Sequence, residues 1–165
     1  MNDVDRIIRL LKDPSLEKRI AAAIVLGELR AKQPQAVEGF VSLLESGVPV
    51  LQRHALEALT QIGAAKKVVE KAMELLGSNV EDVRRAATAA IRSVGEDVVP
   101  LIRARLASAD KGGAERRALD AILADLGGKD AFSTLLEGLA TAEGPGSAGG
   151  GAAKAATLAV RQHVK

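Results

Sequence analysis

The 165-residue chain has no cysteine, no tryptophan and no tyrosine, and its aromatic inventory is two phenylalanines, Phe40 and Phe132. The missing cysteine removes disulfides, thiolate metal sites and cysteine nucleophiles together. The missing aromatics remove the stacking platforms on which single-stranded nucleic acid is held. Two histidines, His54 and His163, leave little for metal ligation or acid–base work. No apolar run approaches the ~20 residues of a membrane span. No stretch carries five or six like charges, which excludes a basic or acidic tail. The opening MNDVDRIIRLLKD places two acids ahead of any basic residue and lacks a long apolar core, unlike a secretory signal. The expectation is a cytoplasmic protein with no membrane partner and no cofactor.

What is present is apolar mass without aromatic rings. Hydrophobic residues make up 47% of the chain, mostly Ala, Leu, Val and Ile, a mixture that favours packed helices over sheets. Twenty-three basic residues stand against twenty-one acidic ones, a net charge of +2. The signs are interleaved, as on a solvated helical surface. Nucleic-acid surfaces cluster their Lys and Arg, because phosphate neutralisation supplies most of the affinity.

The organising feature is a repeat. KRIAAAIVLGELR from Lys18, LQRHALEALTQIG from Leu51, VRRAATAAIRSVG from Val83 and ERRALDAILADLG from Glu115 superpose without gaps. Their ninth residues, Leu26, Leu59, Ile91 and Leu123, are spaced by 33, 32 and 32. A fifth copy, AAKAATLAVRQHV from Ala152, places Val160 another 37 on, the extra length falling in the Gly-rich stretch 143–151. Between these A segments lie B segments that end at Leu11, Leu44, Leu76, Leu106 and Leu139. Both types space apolar residues at i, i+3/i+4, i+7, the period of an amphipathic helix.

The punctuation fits helical hairpins. Asp13-Pro14-Ser15, Ser78-Asn79, Ser108 and Asp110 are expected caps ahead of A helices. Gly63, Gly95 and Gly127 are expected left-handed stops after them. Pro100 falls in the first turn of its B helix, where a missing N–H costs nothing. The inner A positions are mostly alanine, which lets neighbouring helices approach closely. A single hairpin has too little core to stand alone, so neighbours must stack, and the fold class is an all-α solenoid.

Tetratricopeptide repeats want Trp and Tyr at set places, and ankyrin repeats want a Thr-Pro-Leu-His turn; neither is present. The Arg-Arg-Ala-Ala start and Ile-Gly-type end of VRRAATAAIRSVG, with Val-Pro-Leu-Ile at 99–102, resemble the HEAT repeat in its short, phycobilin-lyase-type form. The resemblance covers nearly the whole chain. It implies a right-handed superhelix of about four hairpins over 1–142 with an extra helix at each end, a flexible loop at 143–151, and an A-type helix over 152–165 without a B partner. That last helix leaves three alternatives: a piece of a longer array, a helix docked on the stack, or one that self-associates. Deoxyhypusine hydroxylases, similar in build, hold iron through repeated His-Glu pairs, whereas here His54 precedes Ala55 and His163 precedes Val164. HEAT-like alkylpurine glycosylases use aromatic residues that this chain lacks.

No catalytic constellation stands out. The histidines lie in different repeats, no G-x-S-x-G occurs, and Gly-rich 144–151 lacks the Lys-Ser/Thr of a phosphate loop. The reading is therefore a non-catalytic scaffold for a protein partner. The alternatives are an accessory subunit of a lyase or modifying enzyme, and nucleic-acid binding through arginine rows.

The B segments serve as controls for one another. Where others carry Ile8, Val41, Met73 and Leu136, the fourth has Arg103; where others carry Leu10, Leu43 and Leu75, it has Arg105. Its polar-face positions hold Leu101 and Ala104, against Lys71 and Glu74 in the third. Because the resemblance implies that B helices line the concave face, Leu101, Arg103, Ala104, Arg105, Lys71 and Glu74 form the candidate partner site. A rotated helix with arginine stems lying over the core is the alternative. His54 stands where Ala21, Ala86 and Ala118 recur, either as a half-buried ring or as a pH-sensitive contact. The arginines at A-helix starts (Arg19, Arg53, Arg84, Arg85, Arg116, Arg117) are expected to tie repeats together through acids such as Asp13, Asp82 and Asp110.

Overall fold

In a computed structural model of the chain, the described residues are 3–108 and 113–127. Contacts divide the chain into two compact units, Met1–Leu126 and Gly127–Lys165. The expectations placed on the 143–151 loop, the 152–165 helix, Phe132, Asp110 and His163 fall outside the described residues.

Among the described residues every regular element is helical: α1 Asp3–Leu10, α2 Leu16–Glu28, α3 Pro34–Glu45, α4 Pro49–Gln61, α5 Val69–Leu75, α6 Glu81–Val94 and α7 Val99–Ser108. An eighth, α8, runs over 114–127. The A helices α2, α4 and α6 pack side by side, α3 packs on α4, and α5 on α6. This is the all-α solenoid that the spacing implies. The core follows the repeat: Leu26, Leu59 and Ile91 at the ninth A position, and Leu11, Leu44 and Leu76 at the B termini, are all buried.

The helix starts agree with the sequence in part. Ser15 caps α2, its Oγ accepting the Lys18 N–H at 3.3 Å, while Asp13 Oδ1 accepts the Ser15 N–H at 2.9 Å. Pro34 and Pro49 open α3 and α4 in the first turn, where proline's fixed φ is already helical. The other expected caps differ. The residue ahead of α6 is Val80, without a side-chain cap; Ser78 Oγ instead accepts the Val80 N–H at 3.2 Å. Ser108 is the last residue of α7 and donates back to the Arg105 carbonyl. Short 3-10 turns, Ala65–Val68 and Gly95–Val98, lead into α5 and α7. Pro100 lies in the first turn of α7, as its chemistry requires.

The helix ends carry a second lesson. Gly63 (φ 76°) follows α4, its N–H bonding the Thr60 carbonyl while the Ala64 N–H reaches Leu59, a Schellman closure. The same pair of bonds closes α2, from Arg30 to Gly27 and from Ala31 to Leu26, but the left-handed residue there is Arg30 at φ 50°. Gly95 takes the left-handed φ at the end of α6. Gly127, expected to do the same, is still helical, because α8 continues through it. A Cβ in the left-handed region costs about 1–2 kcal/mol, and glycine's extra freedom in the unfolded chain returns roughly half of that. Arg30→Gly is therefore expected to stabilise the fold by about 0.5–1 kcal/mol, raising Tm by about 2–3 °C, and Gly63→Ala to lower it. Thermal melts followed by far-UV circular dichroism read both. A fall in Tm for Arg30→Gly would mean that the arginine side chain contributes more than the strained backbone costs.

Candidate functional site

The B helices and the turns leading into them enclose a cavity of about 460 Å3. Its apolar lining comes from Val41 and Leu44 of α3, Val68 and Val69 at the start of α5, and Leu101 of α7. Leu101 is 44% exposed, one of the few large apolar side chains so open. Around it stand charges of both signs, Glu45, Glu70 and Glu74 against Lys66, Lys67 and Lys71. A second cavity of about 400 Å3 shares Lys66 and Lys67 and adds Lys32, Val37 and Ile62.

Leu101 reaches the cavity because α7 is set by Val99 and Ile102. Both are buried, so the residue between Pro100 and Ile102 faces outward. Two of the rim lysines are paired at its edge. Lys71 Nζ donates to Glu74 at 2.8 Å, and Lys66 Nζ to Asp97 at 2.8 Å. The Lys66 ammonium holds the Asp97 carboxyl below its ordinary range. An apolar floor with a mixed-charge rim can bury one face of an amphipathic segment and fix its direction through the rim.

Of the six candidate residues, the structure brings Leu101, Lys71 and Glu74 to this one cavity. Arg103, Ala104 and Arg105 do not line it. Arg103 and Ala104 are exposed. Arg105 turns to α8, its Nε donating to Glu115 Oε1 at 2.6 Å. Glu115, with Glu74 and Glu70 adding at longer range, raises the guanidinium above its ordinary value. The two arginines of the fourth B segment thus part company: one is solvated, and one ties α7 to the next A helix.

The arginine rows resolve into ties of two kinds. The second residue of an A segment reaches back to a carbonyl at, or just beyond, the end of the preceding B helix, where carbonyls lack intrahelical partners. Gln52 Nε2 donates to Leu44, Arg84 to Ser78 and Arg116 to Leu106, at 3.1, 2.6 and 3.0 Å. Ion pairs link successive repeats, Arg53 with Asp82 at 3.7 Å and Arg92 with Asp125. Asp82 also pairs with Arg85. Carbonyl capping by Arg84 differs from the acid pairing expected of it, while Arg116 adds to its carbonyl bond an ion pair with Asp120 of its own helix at 3.9 Å. The reason is geometric: the second A position lies over the end of the B helix, where carbonyl oxygens converge.

His54 sits between two partners on its own helix. Arg53 donates to Nε2 at 2.8 Å, so Nε2 is the acceptor and Nδ1–H faces Glu57 at 3.1 Å. Among the described residues no three His, Asp or Glu side chains converge as a metal site would need, and no helix is long and apolar enough to cross a membrane.

The family model for HEAT repeats matches residues 4–92, from α1 to the end of α6. No curated protein matches the chain.

Proposed function

The chain belongs to the HEAT-repeat family, and from that premise we propose that it is a non-catalytic scaffold. Its groove, bounded by α3, α5 and α7, takes an amphipathic helix or loop of a protein partner. The spacing of 32 and 33 residues between A segments supports reading it as one of the short, phycobilin-lyase-type repeats. The observation that carries the reading is the cavity of about 460 Å3 with Leu101 open at its wall and alternating lysine and glutamate at its rim. An apolar side chain kept open beside a rim of paired charges suits an anchor for a partner side chain. Three arginines of the row that would bind phosphate, Arg53, Arg84 and Arg116, are engaged with carbonyls or carboxylates instead.

The test is affinity capture with the wild-type chain beside Leu101→Glu and Lys71→Glu, followed by titration of the purified captured protein. Leu101→Glu is expected to weaken binding by tenfold or more, about 1.4 kcal/mol or above. Lys71→Glu should weaken it less, and its effect should fade with added salt. Equal affinity for all three proteins would remove the groove from the function. Capture of nucleic acid alone, lost on nuclease treatment, would replace the reading.

A further inference from the structure

The A helices act as controls for one another on a second surface. The eighth repeat position is buried in α4, α6 and α8, and the twelfth is buried in α4 and α8 and half-buried in α6. Ala58 and Ile62 are 2% and 4% exposed, and Ile122 and Leu126 are 0% and 5% exposed. In α2 the same two positions are Val25 and Leu29, and they are 41% and 56% exposed. Ala21, one turn earlier on the stripe, is exposed too. Such a row of apolar side chains along one helix is an unfilled stacking face.

The register says what fills such a face. Where α4 stacks on α2, a Cβ at Gly27 (tenth position) would lie 2.5 Å from Gln61 (eleventh) and 3.2 Å from Ala58 (eighth). Where α8 stacks on α6, Arg92 (tenth) pairs with Asp125 (eleventh) above the buried Ile122 (eighth). The tenth residue of one A helix therefore meets the eighth and eleventh of the next. On α2 those two are Val25 and Glu28, so the face wants an A-type helix with a basic tenth residue. The A-type segment at 152–164 has Arg161 there, after Val160, as Arg92 follows Ile91. The receiving sequences match as well, Val25-Leu-Gly-Glu-Leu29 against Ile122-Leu-Ala-Asp-Leu126. Glu28 is exposed and accepts only a long hydrogen bond from Gln61, at 3.4 Å.

We propose that the exposed stripe of α2 is the head of a head-to-tail contact between two copies of this chain, filled by segment 152–164 of the second copy. Arg161 pairs there with Glu28. The contact is heterologous, so it closes as a ring, of which a reciprocal pair is the smallest, or propagates as a filament.

Sedimentation velocity of the full chain across a wide concentration range tests it. The wild type is expected to gain mass with concentration. Val25→Glu/Leu29→Glu, at positions already open to solvent, should stay monomeric with an unchanged circular dichroism spectrum. Glu28→Arg and Arg161→Glu should each weaken association, and the two combined in one chain should restore it. A Val25→Glu/Leu29→Glu copy mixed with an Arg161→Glu copy should stop at a dimer. Leu101→Glu should leave all of this unchanged, which separates the contact from the groove. A wild type that is monomeric throughout, or association that survives Val25→Glu/Leu29→Glu, would overturn the proposal. Failure of the double charge reversal to restore association would remove segment 152–164 as the occupant.

Discussion

Replacing Phe40 by alanine is expected to remove about 3–5 kcal/mol of stability, against the roughly 5–15 kcal/mol that a folded domain possesses. Phe40 is fully buried in α3, against α4, and is the one aromatic ring among the described residues. Its counterparts in α5 and α7 are Ala72 and Ile102, both buried. The second B helix thus holds a larger volume than its neighbours, and the gap left by truncation has no second aromatic to fill it. Rigid helices on both sides limit collapse, so the cavity cost adds to the lost transfer energy. Phe40→Leu keeps most of the volume and should cost under about 1.5 kcal/mol. Urea titration followed by far-UV circular dichroism is the measurement, since the chain has no Trp or Tyr to report by fluorescence. A loss below about 1 kcal/mol for Phe40→Ala would show that α3 closes onto α4 and that the ring fills space without organising it.

The architecture was legible in the spacing because a solenoid asks the same thing of each repeat. Leu26, Leu59 and Ile91 recur because each plugs the same gap between hairpins, and an unchanging requirement leaves a periodic trace. Chain punctuation obeys local rules that several residues can satisfy. Ser15 reads correctly as a cap, whereas Ser78 and Ser108 have the right chemistry one or more residues from the right place. Arg30 was hidden for a related reason. The Schellman bonds around it are made by backbone, and backbone will accept a non-glycine residue where the strain is borne elsewhere.

The candidate site was legible in part where a residue departs from its repeat. Leu101 stood out against the other B segments, and it lines the cavity beside Lys71 and Glu74, the ordinary polar-face residues of the third. Arg105 stood out equally, yet its partner Glu115 belongs to the next A helix, a pairing that comparison among B segments cannot see. Lys66 and Lys67 were missed altogether. They lie in the 3-10 turn Ala65–Val68, between the superposable segments, where no counterpart serves as a control. Solenoid grooves are edged by such turns, so charge on the rim is the feature that repeat comparison reads least well.

Gly27 shows the same blindness in the core, and it carries the second large expected effect. Its tenth-position counterparts Thr60, Arg92 and Ala124 give no hint that a side chain would be refused. Yet α2 and α4 approach so closely there that a Cβ would meet Ala58 at 3.2 Å on its Cβ and 3.3 Å on its Cα, besides the movable end of Gln61. For Gly27→Ala two effects nearly cancel. Alanine gains about 1 kcal/mol of helix propensity, and the contact with Ala58 returns a similar amount as the helices part by a few tenths of an ångström. Gly27→Leu has no such compensation, because the added branch must enter a seam already filled by Ala58. Overpacking of this kind costs about 2–3 kcal/mol. Gly27→Leu/Ala58→Gly opens the opposite wall and is expected to recover about half of that, allowing for the propensity lost at residue 58. Equilibrium denaturation of the three variants gives the coupling directly. If Gly27→Leu unfolds at the same urea concentration as the wild type, the seam between α2 and α4 must yield under strain. Close Ala–Gly packing would then not be what holds the first two repeats in register.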